Sequence, residues 1–379
     1  MTRPLGYLDA NIARLRAESL FRQPPSSPVA AAAGLVNLSS NDYLGFAAEP
    51  LRGPSVARGG AGASPLVVGT WPEHLAAEQA IADWLGAESA TLYTSGYAAN
   101  VGAISCLVGP GDLILSDRLN HASIIDGCRL SRARVEVFDH LDVAGVTARL
   151  AELRSAHAQC LVVTESYFSM DGDSPDLVAL RGACDAFDAA LYVDEAHALG
   201  VFGDQGRGLC AERGVAPDVF VGTLGKAIGL QGAFIAGART LREWLWNRSR
   251  SLVFSTGVSP ALAAAVPERV ARLRRASGPR DDLHRVAALF RMALWPDTPA
   301  LQSGVGPILP WRAGSAENAL AASDFLRGVG VLALPIRPPT VPAGSARVRI
   351  AVRADLASDE VAVAEMALSK LREWTPPPS

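Results

Sequence analysis

Lys226 is one of only two lysines in the chain; every other cation among the 35 Lys and Arg residues is an arginine. A guanidinium stays protonated at any working pH, whereas an amine can lose its proton, attack a carbonyl carbon and form a Schiff base. The other lysine, Lys370, sits in "EVAVAEMALSKLREW", whose spacing predicts a terminal amphipathic helix with a solvated face. Lys226 follows the apolar run Val219–Val221 and lies among Gly222, Gly225, Ala227 and Gly229, small residues that let a bulky ligand approach the backbone. A second apolar run, "LYVDEAH", ends on Asp194 with His197 three residues later. "DEAH" also has the look of a helicase magnesium element. The phosphate-cradling GxxxxGK[ST] partner is missing, because Phe220 stands at its first glycine and Ala227 at its hydroxyl position. A carboxylate facing a heterocyclic nitrogen keeps that nitrogen protonated and makes the ring an electron sink. Lysine plus aspartate is the pairing that pyridoxal phosphate requires.

Three further features suit such a ligand. His121 in "RLNHASI" is either a helix-capping histidine or a flat imidazole able to stack on one face of a pyridine ring. His197 could reach the ring's phenolic oxygen. "TSGYAAN" offers the backbone amides of Gly96 and Tyr97 at a helix start, where a phosphate is well received. His74, His140, His157 and His284 show no partner pattern and read as structural.

These residues need elements to position them. From Ser89 short β-rich runs alternate with helical segments: "ATLYT" and a helix from Gly96, "DLILS" and a helix near His121, "VEVF" and Val143 to Ala156, then "CLVVTES", "ALYVDEAH" and "DVFVGT". That alternation predicts an α/β fold with a large, mostly parallel sheet and helices on both faces. Ligands in open α/β sheets gather beyond the carboxyl ends of the strands. Ser95 and Gly96, His121, Ser169, Asp194, and Thr223 to Lys226 all fall at such ends. Beyond about Pro260 a long helical stretch, "GPILPW", a helix, "VLALPI", "ARVRIAV" and a closing helix predict a smaller C-terminal α+β domain. The expected organisation is an N-terminal helix and arm over 1–45, a large cofactor-binding domain over 46–258 and a small domain over 259–379. "YLDANIARLRAESLFRQ" reads as an amphipathic helix, and "QPPSSPVAAAAG" as a linker.

Composition narrows the classes. A chain of 379 residues can bury a large core, and a net charge of −3 gives no field for nucleic acid or a membrane surface. No apolar run is long enough to span a bilayer. Five widely spaced cysteines without a CxxC pair argue against disulfides and zinc, and suit a reducing cytoplasm.

With "SSNDYLG", "TSGYAAN", "RLNHASI", "FSMDGD", "LYVDEAH", "GDQGRG" and "TLGKAIG", the chain from about Ala10 to Leu371 resembles the α-oxoamine synthases, type I pyridoxal-phosphate enzymes with an aspartate-aminotransferase-like fold. The resemblance implies that Lys226 carries the cofactor as a Schiff base, Asp194 meets the ring nitrogen, His197 the phenolic oxygen, and His121 stacks on the ring. It implies that Gly96, Tyr97 and Thr223 hold the phosphate, with Ser255 and Thr256 of "FSTG" reaching it from the second copy of a homodimer. Ser169 would approach the phenolic oxygen and the reacting carbonyl, Asn41 and Arg349 would hold an amino-acid carboxylate, and Arg22 and Thr340 match positions associated with the acyl substrate. "IRPPTVPAGSARVRI" points within the family to a member that joins L-alanine to a pimeloyl thioester. The arginines at 242, 248, 250, 269, 272, 274 and 275 cluster in sequence, either as a solvated helical face or as a docking surface for an acyl carrier protein. The chain departs from the family pattern at Glu195, where Asp is common, at Ala198, at Gly257, where Ser is frequent, and across "GASPLVVGTW".

Overall fold

The structure, a computed structural model, describes residues 4–22, 34–51, 58–302 and 304–375. Of the expected linker, 23–33 lie outside the described residues. By internal contacts the chain forms two compact units: Asn41–Ser169 with Asp173–Asp281, and Met1–Ser40 with Met170–Gly172 and Asp282–Ser379. The helix Pro260–Arg274 packs on the helix Pro72–Leu85, which draws it into the larger unit and past the boundary expected after residue 258. The division near the N-terminus likewise falls after Ser40 rather than after residue 45.

In chain order the strands are β1 (Val36–Asn37), β2 (Ser89–Tyr93), β3 (Leu113–Asp117), β4 (Arg134–Phe138), β5 (Cys160–Glu165), β6 (Ala190–Asp194), β7 (Val219–Thr223), β8 (Ala233–Gly237), β9 (Ile308–Gly314), β10 (Val331–Leu332), β11 (Leu334–Ile336) and β12 (Ala346–Ala351). The larger unit holds a seven-stranded sheet in the order β2-β8-β7-β6-β5-β3-β4. Neighbours from β7 to β4 pair in parallel, while β8 is antiparallel to both β7 and β2. Parallel strands covered on both faces need apolar side chains in both directions, and every residue of β3, β5 and β7 is buried. Helix Gly96–Leu107 packs one face of this sheet through Ala99, Ala103 and Ile104 onto Ile114, Val163, Tyr192 and Val221. Each fully buried isoleucine or valine among them contributes about 1.5–3 kcal/mol relative to exposure.

β8, "AFIAG", carries no strand signal in the sequence because it is short, continuous and built largely of small residues. Its register makes close approach necessary: a Cβ on Gly222 of β7 would lie 2.2 Å from the Phe234 ring.

The smaller unit contains the antiparallel sheet β11-β12-β9, the parallel pair β1-β10 and the helices Ala316–Gly328 and Ser358–Glu373. Buried Arg347 of β12 is satisfied by the Met170 carbonyl at 3.0 Å and the Asp171 carboxylate at 2.5 Å. The N-terminal helix forms over Tyr7–Ala17, but none of its residues is buried within the chain. Among the described residues no helix is long and apolar enough to cross a membrane.

Candidate active site

The order of the sheet explains where the polar residues gather. The chain leaves β3 outward to β4 and then returns to β5 on the other side of β3, so the direction of winding reverses between β3 and β5. Diverging connections leave a crevice at such a switch point. The two banks are joined: the backbone N–H of His121, after β3, donates to Glu165 Oε1 at the end of β5, 2.7 Å away.

Asp194 closes β6, opposite Glu165 in register, and is buried. One carboxylate oxygen accepts from the Ala196 N–H at 2.9 Å and the other from Asn100 Nδ2 at 2.7 Å. Asn100, on the first half of helix Gly96–Leu107, also donates to Ser123 Oγ at 2.9 Å and accepts from the Tyr192 hydroxyl at 2.7 Å. Ser123 Oγ in turn lies 2.7 Å from His121 Nδ1. Buried His197 places Nδ1 2.6 Å from the hydroxyl of fully buried Tyr43, which also reaches Asn41 Oδ1 at 3.5 Å.

Lys226 sits half-buried in the connection between β7 and β8. That connection is pinned by Leu224 N–H to the Gly232 carbonyl, Leu230 N–H to the Leu224 carbonyl and Gly229 N–H to the Lys226 carbonyl. Gly229 has φ +70° and comes so close to Phe46 and Ala47 that a Cβ would lie 2.5 Å from their backbone, so glycine is required there for two reasons. Thr223 Oγ1 donates to the Gly232 carbonyl and accepts from Gly225 N–H, both at 3.2 Å.

Electrostatics ties these groups together. Burial pushes the Glu165 carboxyl up to about 8, with Asp194 adding to the push and Lys226 opposing it. The protein packed around the His121 ring lowers its pKa; Asp194 pulls the other way and the Lys226 ammonium adds to the lowering. Lys226, Asp194, His121 and Glu165 therefore feel one another's charge.

At the start of helix Gly96–Leu107, the N-cap Ser95 Oγ accepts from Ala98 N–H at 3.1 Å. The N–H groups of Gly96 and Tyr97 have no partner inside the helix, as for any first turn, and a Cβ on Gly96 would meet nothing within 4 Å. The Tyr97 side chain is exposed and its hydroxyl donates to Asp126, which raises its pKa. Ser169 is buried on the turn after β5, where the Phe168 N–H closes the loop onto the Asp173 carbonyl at 2.9 Å.

Gly257, which follows Ser255 and Thr256, lies against the loop 61–69: its N–H donates to the Ala63 carbonyl at 3.0 Å. A Cβ on Gly257 would approach the Gly69 carbonyl to 3.2 Å and Ala61 Cβ to 3.3 Å, so a side chain here requires the loop 61–69 to give by a few tenths of an ångström. In the smaller unit Arg22 and Thr340 come together, with Arg22 Nη2 3.5 Å from Thr340 Oγ1 and 3.1 Å from the Pro338 carbonyl. Arg349 lies half-buried on β12.

The clustered arginines do not build one charged face. Arg269 is buried and donates to the Phe46 carbonyl, Arg272 pairs with Glu49, Arg242 pairs with Glu78, and Arg274 donates to Gln205. Arg248 and Arg250 stack instead on the exposed rings of Trp244 and Phe254. Proximity in sequence here spans separate helices whose inward faces differ.

Five residues of the site carry no sequence-level expectation: Tyr43, Asn100, Ser123, Glu165 and Tyr192. All lie inside stretches already singled out, namely "SSNDYLG", "TSGYAAN", "RLNHASI", "CLVVTES" and "LYVDEAH".

The family model of class I and II aminotransferases matches residues 33–368. The 8-amino-7-oxononanoate synthase of Mycolicibacterium smegmatis is 45% identical, covering 97% of this chain and 96% of that protein. That of Alkalilimnicola ehrlichii is 43% identical over 92% of this chain and 93% of its own length. Among solved structures, serine palmitoyltransferase of Sphingomonas wittichii superposes with a TM-score of 0.87 at 28% identity over 98% of both chains. The chain thus belongs to the class I and II aminotransferases and, among them, to the 8-amino-7-oxononanoate synthases.

Proposed function

We propose that the chain condenses L-alanine with a pimeloyl thioester, releasing carbon dioxide and a thiol, as an 8-amino-7-oxononanoate synthase with pyridoxal phosphate as cofactor. The observation that carries this reading is the buried Asp194 carboxylate, held by Asn100 at the end of β6, within electrostatic range of His121, Glu165 and through them Lys226 on the exit of β7. The residues present fit that cofactor. Asp194 supplies an acceptor for a ring N–H, Lys226 an amine, and the open space before Gly96 with its first-turn N–H groups a place for phosphate. When bound, pyridoxal phosphate supplies the electron sink that takes up the pair left by a broken bond at Cα.

The chain's own residues have distinct tasks in this reading. Lys226 Nζ would hold the cofactor and, as a free amine, would move the Cα proton. Asp194 holds the ring nitrogen's proton in place, and His197, oriented by Tyr43, meets the phenolic oxygen together with Ser169. His121 covers the ring, and Gly96, Tyr97 and Thr223 hold the phosphate. Arg349 and Asn41 are proposed from the family pattern alone as holders of the substrate carboxylate, Arg22 and Thr340 as contacts of the acyl chain. Ser255 and Thr256 are proposed to complete the phosphate site of a second copy in a homodimer. The bonds balance: Cα–H breaks, Cα joins the thioester carbonyl as the thiol leaves, the carboxylate departs as carbon dioxide, and Cα regains a proton.

The enzyme is proposed to act in the cytoplasm, a reading supported by five free cysteines, four of them buried. An acidic acyl carrier protein as thioester donor would find Arg248, Arg250 and Arg275 exposed, and Arg269 out of reach. Product analysis with L-alanine and either pimeloyl-coenzyme A or the pimeloyl carrier protein tests the reading. Equimolar carbon dioxide and 8-amino-7-oxononanoate are expected; turnover of glycine with acetyl-coenzyme A but not of these substrates would sink it.

A further inference from the structure

We propose that Asn100 and Ser123 are positioning residues that fix the His121 ring in the neutral form with its proton on Nε2. The argument runs from the one group whose role is beyond choice. An Asp194 carboxylate oxygen can only accept, so the Asn100 side chain must turn its NH2 toward it, 2.7 Å away. The second amide proton then points to Ser123 Oγ at 2.9 Å, and the amide oxygen is left to accept from Tyr192 at 2.7 Å. Ser123 Oγ, already accepting from Asn100, directs its own proton to His121 Nδ1 at 2.7 Å. The Ser123 backbone N–H reaches the same nitrogen at 3.2 Å. Two donors on Nδ1 make it an acceptor, so the ring's proton resides on Nε2.

Nothing in this chain is loose. Asn100 is 1% exposed and Ser123 is 0% exposed, so no bulk water can substitute for a misplaced donor. Placing a proton on Nδ1 would force the Ser123 hydroxyl to turn its own proton away and leave the Ser123 backbone N–H facing another donor. One amide thus connects the acceptor offered by Asp194 to the neutrality of His121. The consequence for catalysis rests on the function proposed above: a neutral ring can lie flat against a positively charged pyridinium, whereas an imidazolium would oppose the charge that Asp194 stabilises.

The test uses the full chain with histidine-selective nitrogen-15 labelling, first without added cofactor, the His121 resonances being identified by their loss in His121→Gln. The wild type is expected to show a protonated Nε2 and an unprotonated Nδ1 at neutral pH. Ser123→Ala and Asn100→Ala should give a mixture of tautomers and a titration midpoint shifted up toward the ordinary histidine range, and Ser123→Thr should restore the wild-type pattern. A wild-type proton on Nδ1, or Ser123→Ala spectra identical to wild type, would overturn the proposal, and the first of these needs no variant to fold. With pyridoxal phosphate added, Ser123→Ala should lower kcat about tenfold with rescue by Ser123→Thr. Failure of the wild type to gain visible absorbance would count against the proposed function alone and leave the tautomer result standing.

Discussion

His121 and His140 follow adjacent strands of one sheet, β3 and β4, and the protein shifts their pKa values in opposite directions. Around His121 the ring nitrogen Nδ1 receives donors from Ser123, and burial together with the Lys226 ammonium outweighs Asp194 to hold the ring below the ordinary histidine range. Around His140 both nitrogens face carboxylates, Asp117 Oδ1 at 2.9 Å and the two Asp173 oxygens at 3.2 Å. Burial works against charge there too, but Asp117 and Asp173 prevail and push His140 up to about 9. Its ring also meets the edge of Phe168 at 4.4 Å. The lesson is that partner chemistry, more than burial, separates a histidine available to a ligand from one that ties loops together. Asp117 also accepts from Leu119 and Leu141 N–H, so the His140 cluster knots the ends of β3 and β4 to the turn that carries Ser169.

The largest test of this contrast removes the cation on the His121 side. Lys226→Ala should abolish the borohydride-stable cofactor adduct and cost at least about 10³-fold in kcat, because the chain has one other lysine, Lys370 of the C-terminal helix Ser358–Glu373. Circular dichroism and the His140 titration should be unchanged. An adduct retained on Lys370 would show that the amine was assigned wrongly.

Exchanging the two histidines for asparagine should split activity from stability. His121→Asn is expected to lose about tenfold to a hundredfold in kcat/KM with little change in unfolding free energy. His140→Asn should cost on the order of 2–3 kcal/mol in stability, by leaving Asp117 and Asp173 facing each other without a cation, and change kcat/KM far less. The pH dependence gives the sign. The pKa of His140 is raised on folding from 6.5 to about 9, so its contribution is complete below 6.5 and is lost as pH rises through about 9. Glu165, raised from 4.5 to about 8, loses stability with rising pH in a lower window that both proteins share. Urea titrations of wild type and variant across both windows should therefore converge only toward the alkaline end. A constant gap would mean that His140 acts by packing.

The strand ends were legible because parallel strands buried on both faces must be written as apolar runs, and their exits are where polar residues resume: "LYVDEAH" delivers Asp194 and "DVFVGT" delivers Thr223. The glycine-rich turn around Lys226 was legible for the same reason. The second tier of contacts was not. Asn100 in a helix and Tyr192 in a strand follow no periodicity that distinguishes a hydrogen-bonded core residue from its neighbours, and their partners lie 94 and 92 positions away. β8 was hidden by its small residues, and the burial of Arg269 was hidden because charge along the sequence says nothing of which helix faces point inward: Arg269 looks like its neighbours and is buried.

The smallest expected effect separates Asp194 from the acid beside it. Glu195 is 0% exposed, and its two oxygens accept from Leu209 N–H at 3.0 Å and Cys210 N–H at 2.6 Å, so it caps the start of the short helix Leu209–Glu212. Gly208, at φ +93°, passes so close that a Cβ would lie 2.2 Å from Glu195 Oε2. Aspartate at this position would withdraw the carboxylate by one methylene and lose one of the two bonds, at about 1–3 kcal/mol for a buried amide left unsatisfied. Glu195→Asp should therefore lower the melting temperature by a few degrees in calorimetry, while kcat/KM stays within about threefold of wild type. Two adjacent carboxylates would then be assigned by what they accept from: Asn100 and the site on one side, a structural loop on the other. An unchanged melting temperature with a large fall in kcat/KM would reverse that assignment and place Glu195 with Asp194 in the catalytic machinery.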